Sequence, residues 1–123
     1  MAVDVFAGVP VSDYPRAVTW FERLLGTPAT FEAHETECVW TLSDHGHVYV
    51  ELRAEYAGHA MVTVFLDDLE GFVQAAAGRG IHPERRETYG NGVRKVTFRD
   101  PDGNELGFGG PPIEAAEPAG DNP

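Results

Sequence analysis

Helix punctuation recurs at one spacing along this chain. Asp13 and Asp67 stand where helices would start, Gly26 and Gly80 where they would stop, and each pair is 54 residues apart. An Asp at a helix start accepts from backbone N–H groups that the first turn leaves free. A Gly at the end adopts the left-handed backbone that other residues avoid. Between the first pair, Ala17, Trp20, Phe21, Leu24 and Leu25 follow i, i+3, i+4, i+7 and i+8, a single apolar helical face. Pro15 sits just inside the start, where its missing N–H costs nothing. Between the second pair, Leu69, Phe72, Val73 and Ala76 form the corresponding face. These faces align better at an offset of 52, with Ala17 on Leu69 and Phe21 on Val73. The architecture therefore repeats while the residue register does not fully repeat.

Strand patterns surround each helix. In the first half they are Val3–Val11, a short run around Ala29–Glu32, and a hairpin of Glu37–Leu42 and His47–Arg53 turned by Ser43-Asp44-His45-Gly46. In the second half they are Ala60–Leu66, Ile81–Arg85, and Val93–Arg99 against Asn104–Phe108, turned by Asp100-Pro101-Asp102-Gly103. The fold class predicted is α+β: one domain over residues 1–110, made of two βαβββ modules spanning about 1–55 and 58–110. Residues 111–123 are Pro, Ala, Gly and acid, a composition that predicts a disordered tail.

A chain of 123 residues can bury roughly two-thirds of its unfolded surface and needs no staple. Its one cysteine, Cys38, cannot close an intrachain disulfide. The N-terminal stretch lacks the basic start of a signal peptide, and no apolar run reaches the roughly 20 residues of a membrane helix. A cytoplasmic protein without a membrane partner is the expectation. A net charge of −11, from 20 acidic and 9 basic residues, repels phosphate backbones and argues against a nucleic-acid partner. The same field would attract cationic small molecules, or serve only to keep the protein dissolved.

Val9-Pro-Val-Ser-Asp13, Ala17, Trp20-Phe21, Leu24-Leu25-Gly26 and Pro28 together resemble the opening motif of the vicinal oxygen chelate superfamily, the glyoxalase, bleomycin-resistance and extradiol dioxygenase group. Phe65-Leu-Asp67-Asp68-Leu69, Gly80-Ile81 and Asp100-Pro-Asp-Gly-Asn104 resemble its second-half motifs, so the resemblance covers residues 4 to 110. It implies curved mixed sheets around a shared cleft, often completed by a homodimer. It also implies one divalent ion in metal-using members, held by His, Gln or Glu at four places. Those places fall here on Phe6, Glu51, Met61 and Gly107. Three of the four cannot supply the ligand such an ion prefers, so no cofactor is expected. The alternative is one divalent metal ion on Glu51, His59 and Glu105, which a strand slip of two residues would bring together. His45-x-His47 has metal-like spacing too, but lies on a turn where polar residues face water.

Strand alternation gives a view of the cleft that does not use the metal. If the first hairpin loop has an even number of residues, Cys38 and Trp40 share a face with Tyr49 and Glu51, and Val39, Val48, Val50 and Leu52 point the other way. The same parity puts Val96 and Phe98 with Glu105 and Gly107. The predicted ligand-binding set is Phe6, Trp40, His47, Tyr49, Glu51, Met61, Phe65, Phe98 and Gly107, an aromatic pocket with few acids. Apolar residues also fill the space between sheets without binding anything. Three functions follow. The first is a metal-independent small-molecule binder, similar to the bleomycin-resistance branch, sequestering an organic ligand that is cationic or aromatic. The second is a glyoxalase-like lyase, isomerase or cyclase with Glu51 as general base, assisted by Tyr49 or His47 or by a metal. The third is an interaction module with a vestigial cleft.

Overall fold

Asp13 caps the first helix, its carboxylate accepting from the Arg16 N–H at 3.1 Å, and Gly26 ends it at φ 80°. In the second helix Asp68 rather than Asp67 is the cap, accepting from the Gly71 N–H at 3.0 Å, and the helix ends at Gly78, with Gly80 at φ 85° just beyond it. The computed structural model describes residues 1–113, so the predicted tail lies outside them from residue 114 onward. The order is β1 (Val5–Val11), α1 (Tyr14–Leu25), β2 (Phe31–His34), β3 (Glu37–Ser43), β4 (Gly46–Leu52), a short 3-10 turn (Ala54–Tyr56), β5 (Met61–Phe65), α2 (Leu69–Gly78), β6 (Arg85–Thr88), β7 (Arg94–Arg99) and β8 (Glu105–Gly110).

The two modules build two four-stranded mixed sheets. Sheet A runs β1-β4-β3-β2 and sheet B runs β5-β8-β7-β6. In each, the first and last strands of the module pair parallel and the others antiparallel. This is the α+β fold of two βαβββ units that the sequence predicts. The sixth strand starts at Arg85, four residues later than its apolar pattern suggests. The Ile81 N–H is taken by the Ala76 carbonyl at 2.9 Å as the helix ends, and Pro83 has no N–H to give a ladder. Ile81 is buried against the core instead. Among the described residues, no helix is long and apolar enough to cross a membrane.

Each helix covers one face of its sheet, and the two sets of buried residues merge into one core. Phe21 and Leu24 meet Val9, Trp40, Val48 and Val50; Leu69 and Val73 meet Phe98, Leu106 and Phe108. The hairpins reverse the predicted parity. In the first, Thr41 stands opposite His47 but Ser43 opposite Gly46, leaving Leu42 as an extra residue. That bulge shifts the register by one and turns every β3 side chain over. Cys38 and Trp40 therefore share the core face with Val50 and Val48, and Val39 pairs with Tyr49. In the second, Asp100 and Asn104 close a three-residue loop that ends in Gly103 at φ 96°. Its odd length places Val96 and Phe98 in the core, opposite Phe108 and Leu106. Trp40 and Phe98 are thus core residues. Trp40 donates its ring N–H to the Thr27 carbonyl at 2.9 Å, and Phe98 packs edge-on against Phe72 and Phe108. Burial also pushes the Cys38 thiol and the neighbouring Tyr14 hydroxyl above their ordinary pKa values.

Three polar contacts bind the modules to each other. Asn104, fully buried, accepts from the N–H groups of Gly58 and Ala60 at 3.0 and 2.9 Å, and donates to the Pro10 carbonyl at 2.9 Å and the Asp100 carboxylate at 2.8 Å. Ser12 donates both its N–H and its hydroxyl to the Asp102 carboxylate. Arg79 reaches from the end of α2 to the carbonyls of Arg23 and Leu24, the last turn of α1. Replacing Asn104 with Ala leaves several buried backbone groups without partners. We expect a loss on the order of 3 kcal/mol, read as a lower urea midpoint at unchanged slope.

Candidate functional site

The face of each sheet turned away from its helix is the inner face, and strand pairing orders its side chains in rows. On sheet A the rows are Phe6–His47–Thr41, then Gly8–Tyr49–Val39–Phe31, then Pro10–Glu51–Glu37–His34. On sheet B they are Met61–Glu105–Arg99, then Thr63–Gly107–Thr97–Arg85, then Phe65–Gly109–Lys95–Glu87. Within one chain both faces stay open: Phe6 is 49% exposed, Phe31 46%, Met61 79% and Phe65 63%.

Packing within the rows is specific. The Phe6 ring stacks on His47 with centroids 4.2 Å apart and planes 15° from parallel. His47 is nine-tenths covered; its Nδ1 meets the Thr41 hydroxyl at 3.0 Å, and its Nε2 has no hydrogen-bond partner and lies 4.0 Å from the Asp4 carboxylate. The Tyr49 ring crosses β1 over Gly8, where a Cβ would stand 2.5 Å from Cζ and from the hydroxyl oxygen. Only glycine leaves that room. Tyr49, Glu51, Arg53 and Tyr56 then line a recess of about 360 Å³ above Gly8 and Pro10. The Arg53 guanidinium lies 4.7 Å from the centre of the Tyr56 ring and restricts it. A second cavity, about 400 Å³, opens at the seam between modules and is walled by Trp40, His47, Val48, Phe65, Phe72 and Phe108.

Glu51 is not a solitary buried acid. It is partly exposed, stands opposite Glu37 on β3, and lies 3.8 Å from His34 Nε2, which is 3.1 Å from Glu37. Among the described residues, the one group of three possible metal-ligand side chains with atoms within 4.8 Å of one another is His34, Glu37 and Glu51. Both ring nitrogens of His34 are engaged within the chain. Its Nδ1 accepts from the Thr36 N–H at 3.3 Å, so the proton of the neutral ring sits on Nε2 and faces Glu37. Glu51, His59 and Glu105 do not converge within one chain. His59 is exposed in the loop before β5, and Glu105 is held by Arg99 at 3.0 Å.

These rows, in two βαβββ modules, match a known design. The glyoxalase/bleomycin resistance protein/dioxygenase superfamily fits residues 3–108. The chain belongs to this superfamily. A glyoxalase/bleomycin resistance protein from Catenulispora acidiphila is 47% identical, covers 90% of this chain and 100% of its own, and superposes with a TM-score of 0.87. A bleomycin resistance determinant encoded on transposon Tn5 shares the fold at 20% identity, with coverage of 89% and 98% and a TM-score of 0.73. So does a lactoylglutathione lyase from Agrobacterium tumefaciens, at 15% identity, 89% and 94% coverage and a TM-score of 0.71. Among curated proteins no relative matches.

The four places where the superfamily resemblance puts metal ligands do not fit a divalent ion here. The Phe6 ring is engaged with His47, Met61 offers a thioether, and Gly107 offers no side chain. One carboxylate, Glu51, remains, and hard cations prefer several oxygen ligands. Sequence reasoning picked out Phe6, His47, Tyr49, Glu51, Met61, Phe65 and Gly107, all of which lie on inner faces. It missed Gly8, His34, Glu37, Arg53 and Tyr56, whose roles depend on pairing across strands rather than on residue type. We expect Gly8→Val to displace Tyr49 and weaken its near-ultraviolet circular dichroism while far-ultraviolet helix and strand signals persist.

Proposed function

We propose that this protein binds a small organic molecule on the inner face of sheet A and releases it chemically unchanged, without a divalent ion. The observation that carries this is the recess lined by the Tyr49 ring and the Glu51 carboxylate, with Tyr56 held by Arg53 in the same wall. A planar cation fits that chemistry: its ring stacks, its charge pairs with Glu51, and Glu37 adds a second negative group in the same row. The net charge of −11 favours its approach. The 47% identical relative is named a glyoxalase/bleomycin resistance protein, and the resistance half of that name agrees with sequestration.

We further propose that the working unit is a cytoplasmic homodimer in which a second copy covers the exposed inner faces. Four large apolar side chains, Phe6, Phe31, Met61 and Phe65, are each 46% exposed or more there, and patches of this kind mark association surfaces. Sedimentation should show a dimer that Phe65→Asp dissociates; a monomeric native chain defeats the proposal.

Ethidium, a planar aromatic cation, tests the binding reading by calorimetry. Saturable binding is expected, with Glu51→Gln weakening it about tenfold through loss of a charge-assisted contact and Tyr49→Ala weakening it comparably. Equal affinity for the Glu51→Gln variant sinks the assignment. Mass spectrometry of candidate organic ligands recovered from the protein separates sequestration from catalysis. A changed mass that disappears with Glu51→Gln would establish the lyase or isomerase alternative instead.

A further inference from the structure

Sheet B carries a feature that the sheet A recess does not explain. Lys95 is the chain's only lysine. β7 places it on the inner face, between Gly109 and Glu87. Its stem leans across β8 over Gly107. A Cβ on Gly107 would stand 2.6 Å from Lys95 Cε and 3.4 Å from Nζ, with the Thr63 hydroxyl oxygen 3.5 Å from the same point. The bare glycine is therefore the space the lysine occupies, and a hydroxyl from β5 borders it.

The surrounding charges make that ammonium unusual. Arg85 pairs with Glu87 at 3.4 Å and approaches Glu105 at 3.9 Å. Arg99 pairs with Glu84 at 2.6 Å and with Glu105 at 3.0 Å. The acids of this face are thus engaged by arginines. Among the described residues, no carboxylate forms an ion pair with Lys95, in a chain where acids outnumber bases by 20 to 9. An ammonium carries three donors and no acceptor. Here its stem packs over Gly107, its head and the Thr63 hydroxyl border the same space, and Glu87, opposite it in the ladder, is engaged by Arg85.

We propose that Lys95, seated over Gly107 with Thr63 beside it, forms an oxyanion-binding subsite that takes the carboxylate or phosphate group of a small ligand. The exposed Thr63 hydroxyl, on the same row as Gly107, supports this, since it can donate to the same anion. The place that the superfamily resemblance gives to the fourth metal ligand is then covered by the protein's own cation, which repels a divalent ion. The subsite stands on a different sheet and different side chains from the ethidium site, so each can fail without the other.

Amide chemical shifts of ¹⁵N-labelled protein test it, with sodium acetate and inorganic phosphate titrated separately at ionic strength matched with sodium chloride. Saturable movement of the Thr63 and Gly107 signals is expected with at least one of the two anions, and which one responds distinguishes carboxylate from phosphate recognition. Lys95→Met should weaken it at least about tenfold, and Glu51→Gln should leave it unchanged. Gly107→Ala, whose methyl displaces the lysine stem, should weaken it likewise in a variant whose circular dichroism remains native. Shifts that rise linearly with salt, or saturable shifts retained by Lys95→Met, overturn the proposal. Saturable movement of the same two signals by Zn²⁺ overturns it too.

Discussion

The buried amide of Asn104 is the contact on which the arrangement of the two modules depends. Its carbonyl oxygen accepts from Gly58 and Ala60, the linker entering β5, and its amino group donates to Pro10 in β1 and to Asp100 in its own turn. One side chain thus satisfies backbone groups from both halves that would otherwise be buried without partners, the costlier side of the hydrogen-bond balance. Asp100 carries a raised pKa chiefly because it is buried, although Asn104 and the Asp102 N–H draw it back down. The Asp-Pro-Asp-Gly-Asn turn therefore does more than reverse a hairpin. It locks the seam along which the two cores merge.

With the helices committed to one side, the inner faces are left uncovered within one chain, and glycine decides their relief. Gly8 admits the Tyr49 ring and Gly107 admits the Lys95 stem, in each case because a Cβ would collide with the neighbour. The two modules use the same device with opposite chemistry. Sheet A sets Tyr49 in the row next to Glu51 and Glu37, whereas sheet B lays a lysine stem over Gly107 and carries arginines balanced by acids. The superfamily resemblance implies, for an ion, ligands converging from both modules. Here the corresponding places hold a stacked phenyl ring, a thioether and a glycine under a lysine. Superfamily membership establishes the fold and says little about the ligand, because function resides in the site.

Sequence alone determined the element order, both caps of the first helix and the one-sided helical faces, since these rest on local chemistry: an Asp before a free N–H, a Gly at positive φ, apolar residues at helical spacing. The superfamily resemblance pointed to Phe6, Glu51, Met61 and Gly107, and alternation within a strand joined Tyr49 to Glu51 and Phe65 to Met61, a relation that survives any tertiary detail. The direction faced by Trp40 and Phe98 did not follow from sequence. A bulge at Leu42 and an odd loop before Asn104 each slip the register by one, and a slip of one exchanges the two faces of a strand. Nor could sequence reveal that Tyr49 lies over Gly8, that His34 turns its Nε2 toward Glu37, or that Lys95 rests on Gly107. Those contacts join residues from different strands. Their partners are chosen by sheet register, a property of the assembled backbone rather than of any short stretch of chain.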